Sequence, residues 1–132
     1  MLGSFQKSSL RIEVDASEAT IRESLLYPHH VQQWLWPVQF SSGLPQQFNV
    51  GLKFTSSLGP VTIKHYVDVA ESNCLRFLLS GGIDGFHEWY WGEGWVQSRL
   101  EGVSVLPLNW GQTVNLNQLR GFLLSKKPQS AD

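Results

Sequence analysis

The chain has 132 residues, 42% of them hydrophobic and 16% charged, with a formal net charge of −1. That is one domain, residues 1–132, long enough for a hydrophobic core, and it lacks the clustered Lys and Arg that a nucleic-acid partner requires. No apolar run reaches the roughly 18–20 residues of a membrane span, and Met1-Leu2-Gly3-Ser4-Phe5 lacks the basic start and apolar block of a secretory leader.

The first predicted strand is Ser9 to Val14, with Leu10, Ile12 and Val14 alternating. Asp15-x-x-Glu18 reads as a capping box for a helix from about Ala16 to Leu26, burying Ala19 or Ile21 with Leu25 and Leu26. Pro28 ends it and opens a second short helix, His29 to Leu35, which Pro37 stops. After a loop over Ser41–Pro45 come five predicted strands: Phe48–Ser56, Val61–Ala70, Leu75–Ser80, Phe86–Trp91 and Trp95–Val105. Leu58-Gly59, Glu71-Ser72-Asn73, Gly81 to Gly85 and Gly92-Glu93-Gly94 are the turns. Pro107 to Gln112 reads as a further turn. A final helix, about Val114 to Ser125, carries Leu116, Leu119, Phe122 and Leu123 at helical spacing. It would span only roughly 18 Å, and Gly121 inside it costs about 1 kcal/mol against Ala.

The turn positions set registers. Phe54 pairs with Ile63, Leu52 with His65, Val69 with Leu75, Val67 with Phe77, Leu79 with His87, and Phe77 with Trp89. A tip at Gly92-Glu93-Gly94 sets Trp91 against Trp95, Trp89 against Gln97 and His87 against Arg99. Cross-strand partners share a face, so one face carries these aromatics with an imidazole, an amide and a guanidinium. Such a patch is unusual on an open surface; covered, it suits the lining of a small-molecule pocket. The opposite face is polar, with Asp68 opposite Arg76, and with Tyr66, Leu78, Tyr90, Val96 and Leu100 as exceptions.

Strand, two short helices, antiparallel meander and terminal helix define an α+β chain. With Ile12-Glu13-Val14-Asp15-Ala16-Ser17, Tyr27-Pro28-His29-His30-Val31-Gln32-Gln33-Trp34 and Phe48-x-x-Gly51-x-x-Phe54, this order resembles the START-like (SRPBCC) superfamily, which includes polyketide cyclases and lipid- and hormone-binding proteins. The resemblance covers nearly the whole chain. It implies a helix-grip fold, a curved antiparallel sheet wrapped around the C-terminal helix, with a cavity between them. It carries over no catalytic residue, because none is shared across the superfamily.

The expected ligand residues are Trp89, Trp91, Trp95, Phe77, Leu79, His65, His87, Gln97 and Arg99. Arg99 is either an anchor for a polar ligand head or half of a structural pair with Glu101 near the cavity mouth. His65 and His87 are either acid/base groups or hydrogen-bonded wall residues. Trp34 and Trp36 lie on or after the second helix, which the resemblance sets beside the cavity entrance, and each either gates ligand entry or packs. Trp110 is expected to anchor the last helix. Cys74, the single cysteine, permits no internal disulfide or thiolate cluster and points to a reducing cytoplasm. His29 and His30 lack supporting ligands at metal-binding spacing, so neither metal nor cofactor is expected. The leading expectation is non-covalent binding of a small hydrophobic or amphipathic molecule rather than catalysis. The alternatives are a cyclase- or dehydratase-type enzyme using the same pocket, and a protein-interaction module with a filled core.

Overall fold

Alternation of Leu10 and Ile12 with Arg11 and Glu13 makes strand β1 (Ser4–Glu13), which turns one face inward and the other to solvent. The computed structural model describes residues 3–35, 37–104 and 106–126. Trp36, a candidate gate, Val105, the predicted strand end, and the tail from Lys127 lie outside the described residues. Helix α1 (Glu18–Leu26) starts at Ser17, not at Asp15: Ser17 Oγ accepts the Thr20 N–H at 3.2 Å. The Glu93 carboxylate accepts the Glu18 N–H at 2.9 Å. Two otherwise orphaned amides are thereby satisfied, one by an acidic group at the positive end of the helix. Helix α2 (Pro28–Trp34) has Pro28 at its first position, where a missing N–H costs nothing.

The short strand β2 (Gln39–Phe40) precedes β3 (Lys53–Leu58), β4 (Val61–Ala70), β5 (Cys74–Gly81), β6 (Ile83–Gly92) and β7 (Trp95–Ser104). All pairings are antiparallel, in the order β1-β7-β6-β5-β4-β3-β2. Helix α3 (Leu108–Lys126) packs on β1 and β7. The fold is the expected curved antiparallel sheet with a C-terminal helix and two short helices.

Helix α3 is 19 residues, about 28 Å at 1.5 Å per residue, because the segment read as a turn is its first turn. Pro107 stands just ahead of it, and Gln6 of β1 accepts the Leu108 N–H at 2.9 Å while donating to the Leu106 carbonyl at 2.9 Å. A cap supplied from 102 residues away leaves no local signature. Leu108, Gln112, Leu116, Leu119 and Leu123 form the buried stripe. Trp110 is 73% exposed and anchors nothing. No helix among the described residues is long and apolar enough to cross a membrane.

Four registers differ from expectation, one of them only beyond an irregularity. Phe54 faces His65 and Phe77 faces His87, each a shift of two that leaves the faces unchanged. Val67 faces Phe77 as expected, and an irregularity between Val67 and Val69 then sets Val69 against Arg76. The β6–β7 difference is odd. The turn holds two residues, Glu93 and Gly94, so Trp91 faces Val96, Trp89 faces Ser98 and His87 faces Leu100. An odd slip turns a whole strand over: Val96, Ser98 and Leu100 are buried, while Trp95, Gln97, Arg99 and Glu101 lie on the outer face.

Gly85 and Gly102 face each other across β6 and β7. A Cβ on Gly85 would overlap the Glu101 carbonyl oxygen, and one on Gly102 the Asp84 carbonyl. The missing side chains let the two backbones approach unusually closely. Gly85→Ala is therefore expected to destabilise the protein by about 3 kcal/mol, the upper range for overpacking. The measurement is the urea midpoint by circular dichroism; an unchanged midpoint would show that the strands can spread apart.

Candidate ligand-binding cavity

The inner face of the sheet, α2 and the first half of α3 enclose a cavity of about 200 Å³. That exceeds the roughly 150 Å³ of an apolar cavity able to hold benzene and falls below the roughly 300–1,000 Å³ of drug-sized pockets. Phe77, Leu79, Trp89 and Leu100 supply sheet wall, Trp34 comes from α2 and Leu108 from α3. The exposed lining residues Leu58, Pro107 and Gly111 mark where it meets solvent. Trp34 is fixed rather than free to gate: its indole N–H donates to the Ser24 carbonyl at 2.9 Å, and its ring meets Trp89 edge-on at 6.1 Å.

Among the described residues, no Asp, Glu, Lys or Arg lines this cavity. Its polar groups are neutral: Ser56, Ser57, His65, His87, Gln112 and Asn115. His65 Nε2 lies 2.8 Å from Ser56 Oγ, and its ring stacks on Phe54 at 4.6 Å. His87 Nε2 lies 2.8 Å from Ser98 Oγ, and its ring leans on Trp89 at 4.7 Å. Burial lowers the His65 pKa to about 4. Burial, and then repulsion by His65, lowers that of His87 to about 3. Removing an imidazolium from water without a compensating anion is what shifts both. At neutral pH the wall is an uncharged, aromatic surface with a few hydrogen-bonding atoms.

Five of the nine sequence-predicted residues therefore share this wall: Phe77, Leu79, His65, His87 and Trp89. Trp91 is 1% exposed and belongs to the core, where its N–H donates to Glu18 at 3.3 Å. Trp95, Gln97 and Arg99 are on the other side of the sheet, because the two-residue turn reversed their strand. Trp95 lies under the Arg11 guanidinium at 4.5 Å, and Gln97 donates to Ser9 Oγ at 3.3 Å. Arg99 donates to Glu101 at 3.0 Å and to Glu88 at 3.5 Å. The Arg99–Glu101 pair exists, then, but on the outer face and away from the cavity.

Sequence reasoning missed Ser56, Ser98, Gln112 and Asn115. Gln112 carried a usable signal: it stands four residues before Leu116 and so on the apolar stripe of α3, where an amide must find partners. Ser98 offered none until its strand was turned. Cys74 has its pKa raised, chiefly by burial, which disfavours the nucleophilic thiolate.

No protein-family model matches the chain, and no curated protein sequence does so either. Solved structures do. DynU16, from the dynemicin biosynthetic locus, superposes with a TM-score of 0.70 at 19% identity over 92% of this chain. The match takes in 48% of DynU16, so the chain spans about half that protein's length. A protein of Chromobacterium violaceum gives a TM-score of 0.70 at 14% identity, over 89% of this chain and 96% of its own. Norcoclaurine synthase from Thalictrum flavum, in complex with dopamine and hydroxybenzaldehyde, gives 0.67 at 14% identity, over 96% of this chain and 91% of its own. Identities this low establish architecture alone, and that architecture is the helix-grip fold, a curved antiparallel sheet with a C-terminal helix and two short helices.

Proposed function

We propose that the protein binds a small, neutral, predominantly apolar molecule non-covalently in the cavity between sheet and helices. The observation that carries this is an unfilled space of about 200 Å³ with an aromatic, uncharged wall. Empty apolar volume forfeits dispersion contacts and destabilises a fold, so a cavity of this size is kept at a cost that a ligand would offset. The amphipathic ligands considered at the outset narrow accordingly: a charged head would find no counter-ion inside. The unfilled space also weighs against an interaction module with a solid core.

A cyclase- or dehydratase-type enzyme is the second reading, favoured by two imidazoles in one wall and by a neighbour that is a synthase. With pKa values of about 4 and 3, both are weak bases at pH 7, far from the matched pKa that general base catalysis favours. Non-covalent binding is therefore the better supported.

Native mass spectrometry of gently purified protein should show an adduct of small-molecule mass that leaves on denaturation. Leu79→Trp, which fills the cavity from the sheet side, should lower the affinity for any such ligand at least about tenfold while cooperative unfolding persists. Retention of the ligand in a folded Leu79→Trp variant would place its site elsewhere.

The neutral histidines also predict a pH dependence. Both are held below the ordinary imidazole value of about 6.5, so below about pH 6.5 the unfolded chain binds more protons than the folded one. Stability contributed by these groups is complete above that pH and is lost on acidification towards about 4 for His65 and about 3 for His87. His65→Phe, placed between Phe54 and Phe77, should make the acid limb of a stability–pH curve shallower by about 1.4 kcal/mol per pH unit. Parallel acid limbs for both proteins would mean that His65 is already charged when folded.

A further inference from the structure

The hydrogen bonds behind His87 decide which of its nitrogens carries the proton, and so what the cavity can recognise. Gln112 reaches from α3 to the sheet with a fixed amide orientation. Its Nε2 lies 2.8 Å from the Ser98 carbonyl and 3.2 Å from the Ser8 carbonyl, groups that only accept, while its Oε1 receives the Ser8 hydroxyl. The same Nε2 is 3.0 Å from Ser98 Oγ. An amide NH2 has no lone pair to offer, so the Ser98 hydroxyl proton cannot be donated to it. Ser98 is sealed from solvent, at 0% exposure. Among the described residues its Oγ has one other partner, His87 Nε2 at 2.8 Å. Leaving a buried hydroxyl proton without an acceptor costs about 1–3 kcal/mol. Ser98 therefore donates to Nε2, and the neutral ring must hold its own proton on Nδ1.

That Nδ1 has no hydrogen-bond partner among the described residues. Among the described residues the buried side-chain nitrogens and oxygens without a partner are His65 Nδ1 and Arg76 Nε, so His87 Nδ1 does not count among the sealed ones. It therefore opens onto the cavity that its ring lines. We propose that the chain Gln112–Ser98–His87 presents the His87 Nδ1–H as a fixed donor into the cavity, and that the ligand is a neutral, mainly hydrocarbon molecule carrying an accepting carbonyl or ether oxygen. This rests on the cavity being a ligand site, and it adds the chemical class: an oxygen acceptor for the imidazole N–H, with no charge that the wall would leave unpaired. Gln112 and Ser98 act through His87 and are positioning residues.

Two experiments test it. The first needs no ligand. In protein labelled with 15N in histidine, long-range 1H–15N correlation spectra at pH 7 should show His87 in the Nδ1–H form, and Ser98→Ala should shift it towards a mixture of tautomers. A wild-type ring in the Nε2–H form overturns the proposal. The second compares 1-tetralone with tetralin, two bicyclic probes that differ by a carbonyl in place of a methylene. Affinities are read by quenching of tryptophan fluorescence, with Leu79→Trp as the control for the site. The ketone-to-hydrocarbon affinity ratio should fall about tenfold in His87→Phe, as loss of one hydrogen bond implies, while tetralin binding is retained. An unchanged ratio overturns the donor assignment and leaves the cavity reading standing. Binding of neither probe to wild type at their solubility limits overturns the cavity reading itself, and the donor proposal with it.

Discussion

The register between β6 and β7 hangs on the two-residue turn at Glu93 and Gly94, and most of the molecule's division into inside and outside follows from it. Gly94 takes the left-handed conformation, φ +74°, which L side chains avoid and a tight hairpin turn demands. The turn is clamped to the start of α1 on both sides. Gly94 donates its N–H to the Ala16 carbonyl at 3.1 Å, and its own carbonyl accepts the Val14 N–H at 2.9 Å. Glu93 meanwhile caps the Glu18 amide. One residue more in this turn would send Arg99 inward, where no counter-ion waits, at a desolvation cost of several kcal/mol. It would also turn Val96 and Leu100 out to water.

With that register set, charge collects on the convex side. Asp68, Arg76, Glu88, Arg99, Glu101 and Lys7 form a ladder of alternating sign across β4, β5, β6, β7 and β1. Successive contacts are 3.6, 3.7, 3.5, 3.0 and 3.6 Å. Phe86 sits beneath two guanidiniums, with Arg76 at 4.7 Å and Arg99 at 5.7 Å from its ring centre. Most of these pairs are open to water and each is worth little, about 0–1 kcal/mol. Glu88 differs. It is 5% exposed, covered by its neighbours and bonded by the Tyr90 hydroxyl at 3.1 Å. Placing the ladder outside keeps charged groups out of the cavity wall, which lets two histidines remain neutral there.

The concave side is governed by polar groups that are few and partnered. Gln6 starts α3 from β1, and Gln112 ties the next turn of the helix to Ser8 and Ser98. A satisfied buried network holds its members in one arrangement. Here it fixes the first half of α3 over β1 and β7 and leaves the space beneath it, beside Phe77, Leu79 and Trp89, unfilled. The same network holds the His87 imidazole on the cavity wall through Ser98, so the helix attachment and the cavity's chemistry are a single construction.

The order of the helices and long strands and the aromatic inner face of β4, β5 and β6 were legible in the chain. Apolar alternation and turn residues are local properties, and a register error of two residues leaves every side chain on its proper face. Hence Phe77, Leu79, His65, His87 and Trp89 could be assigned to one wall from sequence. The reversed strand left a trace as well: Val96 and Leu100 stood as apolar residues on a polar face, which a one-residue slip would have cured. What no local pattern carries is the size of the β6–β7 turn, because Gly92 and Gly94 permit either a two- or a three-residue tip and only the clamp to Val14 and Ala16 selects between them. The start of α3 was hidden for a related reason, since its cap comes from Gln6 at the far end of the chain. Tertiary contacts between residues remote in sequence thus decided which side of the sheet holds the charge, where the last helix begins and which nitrogen of His87 meets the cavity.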